Sequence, residues 1–257
     1  MYIKENFSYS KVSTYKNCPL KYELSYIKKI KLPKEPTKQI LIGYVLHDFF
    51  KNYITLFLSK GEFPSQVDDL YKASLRSISL HNNVTLEYSE EECRNMEEYA
   101  KTFISYIQSL NPVSIKLEEN FYKNFKNNSI DVTINGRIDC IVYTENKKIH
   151  IFDIKTTNKN FSLNWYMDQL YVYAFLLSNQ ENIEDIKIYV FFPFLNKGEI
   201  KEVPLLEANF KEGINSFFKH IEEICLSRRN EPVINKLCEY CDYFRTDFCK
   251  ESQKVFL

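Results

Sequence analysis

The sequence has few of the residues that loosen a fold, since its 257 residues include only 5 Gly and 8 Pro. This composition excludes collagen-like, low-complexity and linker-rich chains, and no period typical of repeat proteins is found. The sequence also lacks any run of 18 uninterrupted apolar residues, and its N-terminus has no apolar segment typical of a signal peptide. We therefore expect a cytoplasmic protein that neither spans a membrane nor is secreted.

The chain also lacks an excess of charge of either sign, because 34 Lys and Arg residues balance 34 Asp and Glu residues. Such a balance neither requires nor excludes a nucleic-acid partner, so any nucleic-acid-binding surface has to be local. Hydrophobic residues make up 44% of the chain and aromatic residues 16%. A chain of this length and composition can bury one sizeable core, and we expect a single domain over residues 1–257.

Helical periodicity dominates the first 112 residues, and strand patterns follow. The predicted helices are 8–30 with a break near Cys18–Pro19, 38–59, 66–80, a fourth from Ser89 to about Leu110, 162–178 and 207–227. The predicted strands are 114–125, 130–134, 137–144, 148–155, 186–194 and a short one after the turn at Asn196–Gly198, and Asn135–Gly136 is predicted to be a hairpin turn. This order indicates an α/β fold with a central mixed sheet flanked by helices. It divides into a mainly helical region (1–112), a core (113–227) and a cysteine-rich tail (228–257).

Two aspartates occupy positions in a hydrophobic hairpin where apolar residues are expected. Asp139 lies in the segment IDCIV and Asp153 in IFDIK, which places Lys155 on the same strand face as Asp153. A three-residue connection, 145–147, would place Asp139 opposite Asp153. Two neighbouring carboxylates on an apolar sheet are unfavourable unless a cation lies between them, and Mg²⁺ or Mn²⁺ suits such oxygen ligands. A simple Asp–Lys salt bridge at a sheet edge is the alternative interpretation.

Four short segments resemble the motifs of a known enzyme superfamily. The segment GRID followed by DIK on the next strand resembles the PD-(D/E)XK nuclease superfamily, in particular its RecB-like branch. GYVLHDFF resembles the helical G-x-x-x-H-x-x-F motif of that branch, and DQLYVYAFLL resembles its Q-x-x-x-Y motif. The segments follow the order of the family, each on the expected type of element. The resemblance implies a restriction-endonuclease-like core and a metal-dependent DNA nuclease.

The resemblance also implies roles for individual residues. The implied catalytic residues are His47, Asp139, Asp153, Lys155, Gln169 and Tyr173. The implied ligands of the catalytic Mg²⁺ or Mn²⁺ are His47, Asp139, Asp153 and the backbone carbonyl of Ile154. Lys155 would assist the attacking water, while Gln169 and Tyr173, four apart on one helix face, would contact the DNA backbone or the active site. An upstream acidic residue, either Glu118 or Glu119, is a further candidate.

Seven cysteines, an odd number, favour free thiols or metal ligands over disulfides. RecB-like nucleases of the AddB and CRISPR-associated kinds carry one N-terminal cysteine and three after the core, which together bind an iron–sulfur cluster. The corresponding residues here, which imply a [4Fe–4S] cluster, are Cys18, Cys238, Cys241 and Cys249. A structural zinc site of four thiolates is the alternative. We predict that the remaining cysteines, Cys93, Cys140 and Cys225, are buried thiols.

The leading hypothesis is thus a metal-dependent deoxyribonuclease that hydrolyses phosphodiester bonds as an exonuclease acting on single-stranded DNA ends, in DNA repair, recombination or CRISPR adaptation. The partners expected from the resemblance are DNA and a helicase or CRISPR-adaptation proteins. A second hypothesis is a non-catalytic DNA-binding or scaffolding module of a helicase–nuclease or spacer-acquisition complex. A redox protein built around the cluster is a weaker third hypothesis, because it leaves the hairpin carboxylates unexplained.

Overall fold

A computed structural model describes residues 5–32, 36–157, 162–178 and 183–250. The helices are α1 (Tyr9–Asn17), α2 (Pro19–Tyr22), α3 (Lys38–Lys60), α4 (Val67–Asn82), α5 (Glu90–Ser109), α6 (Met167–Leu177) and α7 (Glu207–Leu226). The strands are β1 (Asn6–Ser8), β2 (Pro112–Lys126), β3 (Asp131–Thr144), β4 (Ile149–Ile154), β5 (Ile186–Phe192) and β6 (Glu199–Val203). A π-helical turn (Glu23–Ile27) and short 3₁₀ turns (Leu163–Trp165, Ile183–Asp185, Lys236–Tyr240) complete the described elements. The last part of the predicted tail, 251–257, lies outside the described residues.

The six strands form one mixed sheet in the order β1-β3-β4-β5-β6, with β2 paired to β3. The pairs β1–β3 and β4–β5 are parallel, and the other pairs are antiparallel. Apolar side chains of α1, α6 and α7 pack with the strands in one core cluster. Those of α3, α4 and α5 pack with other strand residues in a second cluster. The predicted α/β architecture, a mixed sheet flanked by helices, is therefore confirmed.

Local sequence signals set the helix boundaries close to those predicted. The hydroxyl of Thr37 accepts a hydrogen bond from the backbone N–H of Ile40 at the start of α3, and Ser89 caps α5 through the N–H of Glu92. Both contacts satisfy N–H groups that a helix start leaves without a partner. Helix α3 ends at Gly61, whose φ of 74° is favourable for glycine.

The predicted turn at Asn135–Gly136 is wrong, because both residues lie within the continuous strand β3. The hairpin turn instead lies at 127–130, where the side chain of Asn127 accepts hydrogen bonds from the N–H groups of Ser129 and Ile130. Gly136 has a different role. A Cβ atom at this position would lie 2.7 Å from a methyl carbon of Leu176, so glycine permits the close approach of α6.

Strand β3 changes partner along one of its edges. It pairs with β2 over nearly its whole length. It pairs with β1 at Thr133–Asn135 and with β4 at Cys140–Tyr143. Residues 136–139 lie between these two ladders, and strand β1, which the sequence did not predict, forms one end of the gap. Residues in this gap, Asp139 among them, have no strand partner on this side of β3 in the described sheet.

None of the described helices has the length and apolar character needed to cross a membrane.

Candidate active site

Asp139 lies in the gap of β3, next to the end of β4. The β3–β4 ladder runs from Tyr143 opposite Ile149 to Cys140 opposite Phe152, so the next position places Asp139 opposite Asp153. The predicted register and three-residue connection are thereby confirmed. The carboxylate of Asp139 accepts a hydrogen bond of 2.7 Å from the backbone N–H of Ile154. A side chain thus continues the link between the strands after their backbone ladder has ended.

Glu118 lies opposite Asp139 on the other side of β3, between the pairs Leu117–Cys140 and Glu119–Ile138. Its φ is 53°, a left-handed conformation that is costly for a residue other than glycine. Its carboxylate lies 3.2 Å from Nδ1 of His47 and 2.5 Å from Nε of Arg137. Glu119 instead pairs with Lys116 at 3.1 Å. The structure therefore brings Glu118, and not Glu119, into contact with the site.

His47 projects from α3 toward these carboxylates. Its Nδ1 lies 3.8 Å from Asp139 Oδ1, and one ligand atom from each of His47, Glu118 and Asp139 lies within 4.8 Å of the others. Gly43, one turn earlier on α3, permits this approach. A Cβ atom there would lie 3.0 Å from the hydroxyl oxygen of Thr156, so the helix packs closely against the segment after β4. The glycine and the histidine of the helical motif thus act together in placing the imidazole.

Asp153, which is buried, and Lys155, which is partly exposed, form an ion pair on the other side of Asp139. The ammonium of Lys155 lies 2.8 Å from Oδ2 of Asp153, whose side chain is 2% exposed. Lys155 also donates to Oε1 of Gln169 at 3.0 Å, and Gln169 Nε2 donates to the hydroxyl of Tyr173 at 2.6 Å. The two α6 residues therefore form a chain of hydrogen bonds that ends on the ammonium. Ile154 lies between Asp153 and Lys155, at the end of β4.

Burial and crowding of like charges set the protonation of the site. Burial, and next the charge of Asp153, raise the pKa of Asp139 to about 7. Burial alone would lower the pKa of His47, but its hydrogen bond to the Glu118 carboxylate and the charge of Asp139 raise it overall. Burial likewise opposes the charged form of Lys155, yet the charge of Asp153 raises its pKa. Burial and the neighbouring carboxylate thus disfavour the charged form of Asp139, and a cation or a proton beside it would relieve this cost.

This group of donors fits a hard divalent cation. Carboxylate oxygens and an imidazole nitrogen are ligand types that Mg²⁺ and Mn²⁺ accept. The raised pKa of Asp139 is the second indication, because a bound cation would remove the repulsion between Asp139 and Asp153. His47, Glu118 and Asp139 would hold such an ion from one side and Asp153 would border it from the other.

Two residues at the site were not assigned a role from the sequence. Arg137, in the GRID segment, forms the ion pair with Glu118 and is 58% exposed at its side chain. The ring of Tyr166 lies 5.2 Å from the ammonium of Lys155, a distance typical of a cation–π contact. The position of Arg137 two residues before Asp139 was a usable signal, because both side chains share a strand face. Tyr166 carried no such signal.

The four cysteines of the proposed cluster site line one cavity of about 110 Å³. They are Cys18, at the start of α2, and Cys238, Cys241 and Cys249 of the tail. Of these four described sulfur atoms, no three lie within 4.8 Å of one another. The cavity thus brings together the one N-terminal cysteine and the three tail cysteines of the predicted cluster.

Direct contacts hold the tail against the N-terminal helices. The side-chain amide of Asn235 donates to the carbonyl of Asn17 at 3.0 Å, and the hydroxyl of Tyr243 donates to the carbonyl of Ile30 at 2.7 Å. Among the other cysteines, Cys93 and Cys140 are buried, as predicted, whereas Cys225 is only partly buried.

Comparisons with known proteins agree with this architecture. The family model of the PD-(D/E)XK nuclease superfamily matches residues 6–246. A solved structure of a "Putative exonuclease" from Eubacterium rectale aligns with a TM-score of 0.56 and 13% identity, covering 93% of this chain and 88% of the other. That similarity concerns the fold. The solved structure of a protein named SSO0001 aligns with a TM-score of 0.38 and 17% identity, covering 88% of this chain and 91% of the other. A search of curated proteins finds no match.

Proposed function

The chain belongs to the PD-(D/E)XK nuclease superfamily, and from this premise we propose that it is a Mg²⁺- or Mn²⁺-dependent deoxyribonuclease. The observation that carries the proposal is the convergence of His47, Glu118 and Asp139 within 4.8 Å, beside the ion pair of Asp153 and Lys155. These residues come from α3 and three adjacent strands, and packing alone does not require acidic groups at this depth.

The proposed metal ligands are His47, Glu118, Asp139 and Asp153, with the backbone carbonyl of Ile154. A divalent cation held there would lower the pKa of a bound water and polarise a phosphoryl oxygen. The chain's own groups contribute orientation and charge. Because the pKa of Lys155 is raised, its side chain is an ammonium at neutral pH. It therefore stabilises negative charge on the phosphate and does not act as a base.

Gln169 and Tyr173 have positioning roles in this proposal. Gln169 accepts a hydrogen bond from Lys155 and in turn donates to Tyr173. The relay restricts the ammonium to one orientation relative to Asp153, and such orientation is a large part of catalysis by fixed groups. Single-stranded DNA ends as the substrate, and exonuclease action on them, are the finer parts of the proposal.

We further propose that Cys18, Cys238, Cys241 and Cys249 bind a [4Fe–4S] cluster. Their arrangement around one cavity between the N-terminal helices and the tail supports a metal centre shared by these four residues. The cluster would connect the N-terminal helices to the tail and would thus be structural. Iron and zinc analysis of protein purified without oxygen distinguishes the two metals.

A role in DNA repair, recombination or CRISPR adaptation, beside a helicase or adaptation proteins, belongs to the same proposal.

The central experiment is a cleavage assay on end-labelled single- and double-stranded DNA with Mg²⁺, with Mn²⁺ and with a chelator. We expect metal-dependent degradation by the wild type and a loss of at least about a hundredfold in Asp153→Asn and Lys155→Ala. Asp131→Asn is the matched control, because Asp131 lies on β3 but pairs with Lys126 outside the site. DNA binding without any metal-dependent cleavage would favour the non-catalytic scaffold instead.

A further inference from the structure

An open cleft of about 550 Å³ leads along one face of α3 to the candidate active site. Its lining includes Tyr44, His47, Lys51, His81, Arg137 and Asp139. His47 and Asp139 line the cleft and also belong to the candidate active site. A phosphate at the proposed metal site would therefore lie at the inner end of the cleft. A strand that carries this phosphate could continue along the cleft.

Tyr44 is the aromatic residue of the cleft, and no role has yet been given to it. It lies three residues before His47, so the two side chains project from the same face of α3. Tyr44 is 49% exposed, although most of its apolar neighbours on the helix are buried. In the described part of the chain, no other aromatic ring stacks on it. A half-exposed ring beside a phosphate site is suited to stack on an unpaired base.

Two positively charged residues line the same cleft. Lys51 is exposed and lies four residues after His47 on the same helix face. Arg137 faces the cleft from β3. Two acids also line the cleft: Asp48 accepts a hydrogen bond from Asn52, and Glu118 contacts His47 and Arg137. The row from Tyr44 to Lys51 is about 10 Å long, given the rise of about 1.5 Å per helical residue.

We propose that this cleft binds one strand of single-stranded DNA, with Tyr44 stacked on an unpaired base and Lys51 in contact with a phosphate. The inference rests on the proposed function, because it assigns the substrate of the same site. Bases in a duplex are paired and stacked on each other, so they offer no free face to Tyr44. The cleft therefore selects single strands by stacking, independently of sequence, since every base has such a face.

Binding of a fluorescent single strand by anisotropy tests the proposal. The Lys155→Ala background, with Mn²⁺ present, preserves the labelled strand during the measurement. We expect Tyr44→Ala to raise the dissociation constant about five- to fiftyfold, and Tyr44→Phe, which keeps the ring, to stay within about twofold. Leu58→Ala is the matched control, because Leu58 is 45% exposed on the same helix but lies outside the cleft lining.

Salt dependence separates stacking from ionic contact. Lys51→Ala should reduce the slope of log affinity against log salt by about 0.7, whereas Tyr44→Ala should lower affinity without changing the slope. An unlabelled duplex should compete far less well than an unlabelled single strand. Tyr44→Ala binding like Leu58→Ala, or equal competition by the duplex, overturns the inference. Strand binding that depends on Tyr44 in a wild type that cleaves no DNA would uphold it and overturn the proposed nuclease activity.

Discussion

The Asp139 carboxylate is fixed by the backbone N–H of Ile154, at 2.7 Å, directly beside Asp153. This single hydrogen bond joins β3 to β4 at the position where their backbone ladder stops. It favours the charged form of Asp139, but burial and the charge of Asp153 outweigh it, and the pKa rises to about 7. The strand edge therefore holds a carboxylate in an orientation suited to a cation, at the cost of stability in the absence of the ion.

Asp139→Asn should stabilise the metal-free protein at pH 8. Because the pKa of Asp139 in the fold lies above its ordinary value, its contribution to stability falls as the pH rises through about 7. Asparagine keeps the shape and an acceptor oxygen for the Ile154 N–H but carries no charge. We expect the free energy of unfolding to rise by roughly 1–3 kcal/mol at pH 8 and less at pH 5. Thermal or urea unfolding at the two pH values measures it.

The same variant should lose the response to metal. Mn²⁺ should raise the Tm of the wild type, since an ion that binds only the folded state stabilises it, and should leave the Tm of Asp139→Asn nearly unchanged. Asp131→Asn, on the same strand, should respond to Mn²⁺ like the wild type. A destabilised Asp139→Asn that still gains stability from Mn²⁺ would contradict the assignment of this residue.

Glu118→Gln should lower the cleavage rate at least about tenfold, whereas Glu119→Gln should remain within about twofold of the wild type. The amide removes the negative charge that faces His47 and Arg137, so cation affinity should fall as well. Glu119 is the closest possible control, because it is the next residue and pairs with Lys116 away from the site. Rates measured over a series of Mn²⁺ concentrations separate weaker metal binding from slower chemistry. Equal losses in the two variants would show that the contact with His47 is not functional.

Gly43→Ala should reduce activity more than stability. The added Cβ atom would lie 3.0 Å from the Thr156 hydroxyl, so this contact must widen by a few tenths of an ångström, and any shift of α3 would move His47 with it. Alanine favours the helix by up to about 1 kcal/mol, which offsets part of the strain. We therefore expect about a tenfold loss in cleavage rate with a Tm change of a few degrees. The double variant Gly43→Ala with Thr156→Ala should regain activity relative to Gly43→Ala. Failure of this rescue would place the defect elsewhere than in this contact.

The sequence predicts those parts of the site that depend on strand periodicity and short connections. Alternation along β4 and a three-residue turn suffice to pair Asp139 with Asp153, and the structure has this register. Glu118 could not be chosen over Glu119 in this way, because the choice depends on a left-handed residue within a strand. Gly136 was misinterpreted as a turn for a similar reason. Glycine is required at this position because Leu176, forty residues later, packs against it. No local sequence pattern indicates that contact.

The helical motifs likewise show which features local patterns predict and which depend on long-range contacts. Their spacing places Gln169 and Tyr173 on one face of α6, and this follows from helical geometry alone. That Gln169 meets Lys155 depends on how α6 packs on the sheet, which the periodicity of α6 does not determine. Strand β1 was not predicted, because a strand of three residues next to a helix is too short to show an alternating pattern. Long-range contacts therefore decide the details of the site, while local patterns decide which residues are available for it.

The final prediction concerns the cysteines, where Cys249→Ser and Cys225→Ser form a matched pair. Cys249 lines the cavity shared with Cys18, whereas Cys225 is partly buried on α7 and packs against the main core. Cys249→Ser should lose visible absorption and most of its iron, because serine is a poor ligand for a cluster. It should also lower the Tm by several degrees, since the cluster links residues far apart in the sequence and so restricts the unfolded chain. Cys225→Ser should retain both iron and Tm. If the wild type is colourless and contains one zinc ion per chain, the four residues bind zinc and not a cluster. If the two variants behave equally, Cys249 is not a ligand of the site.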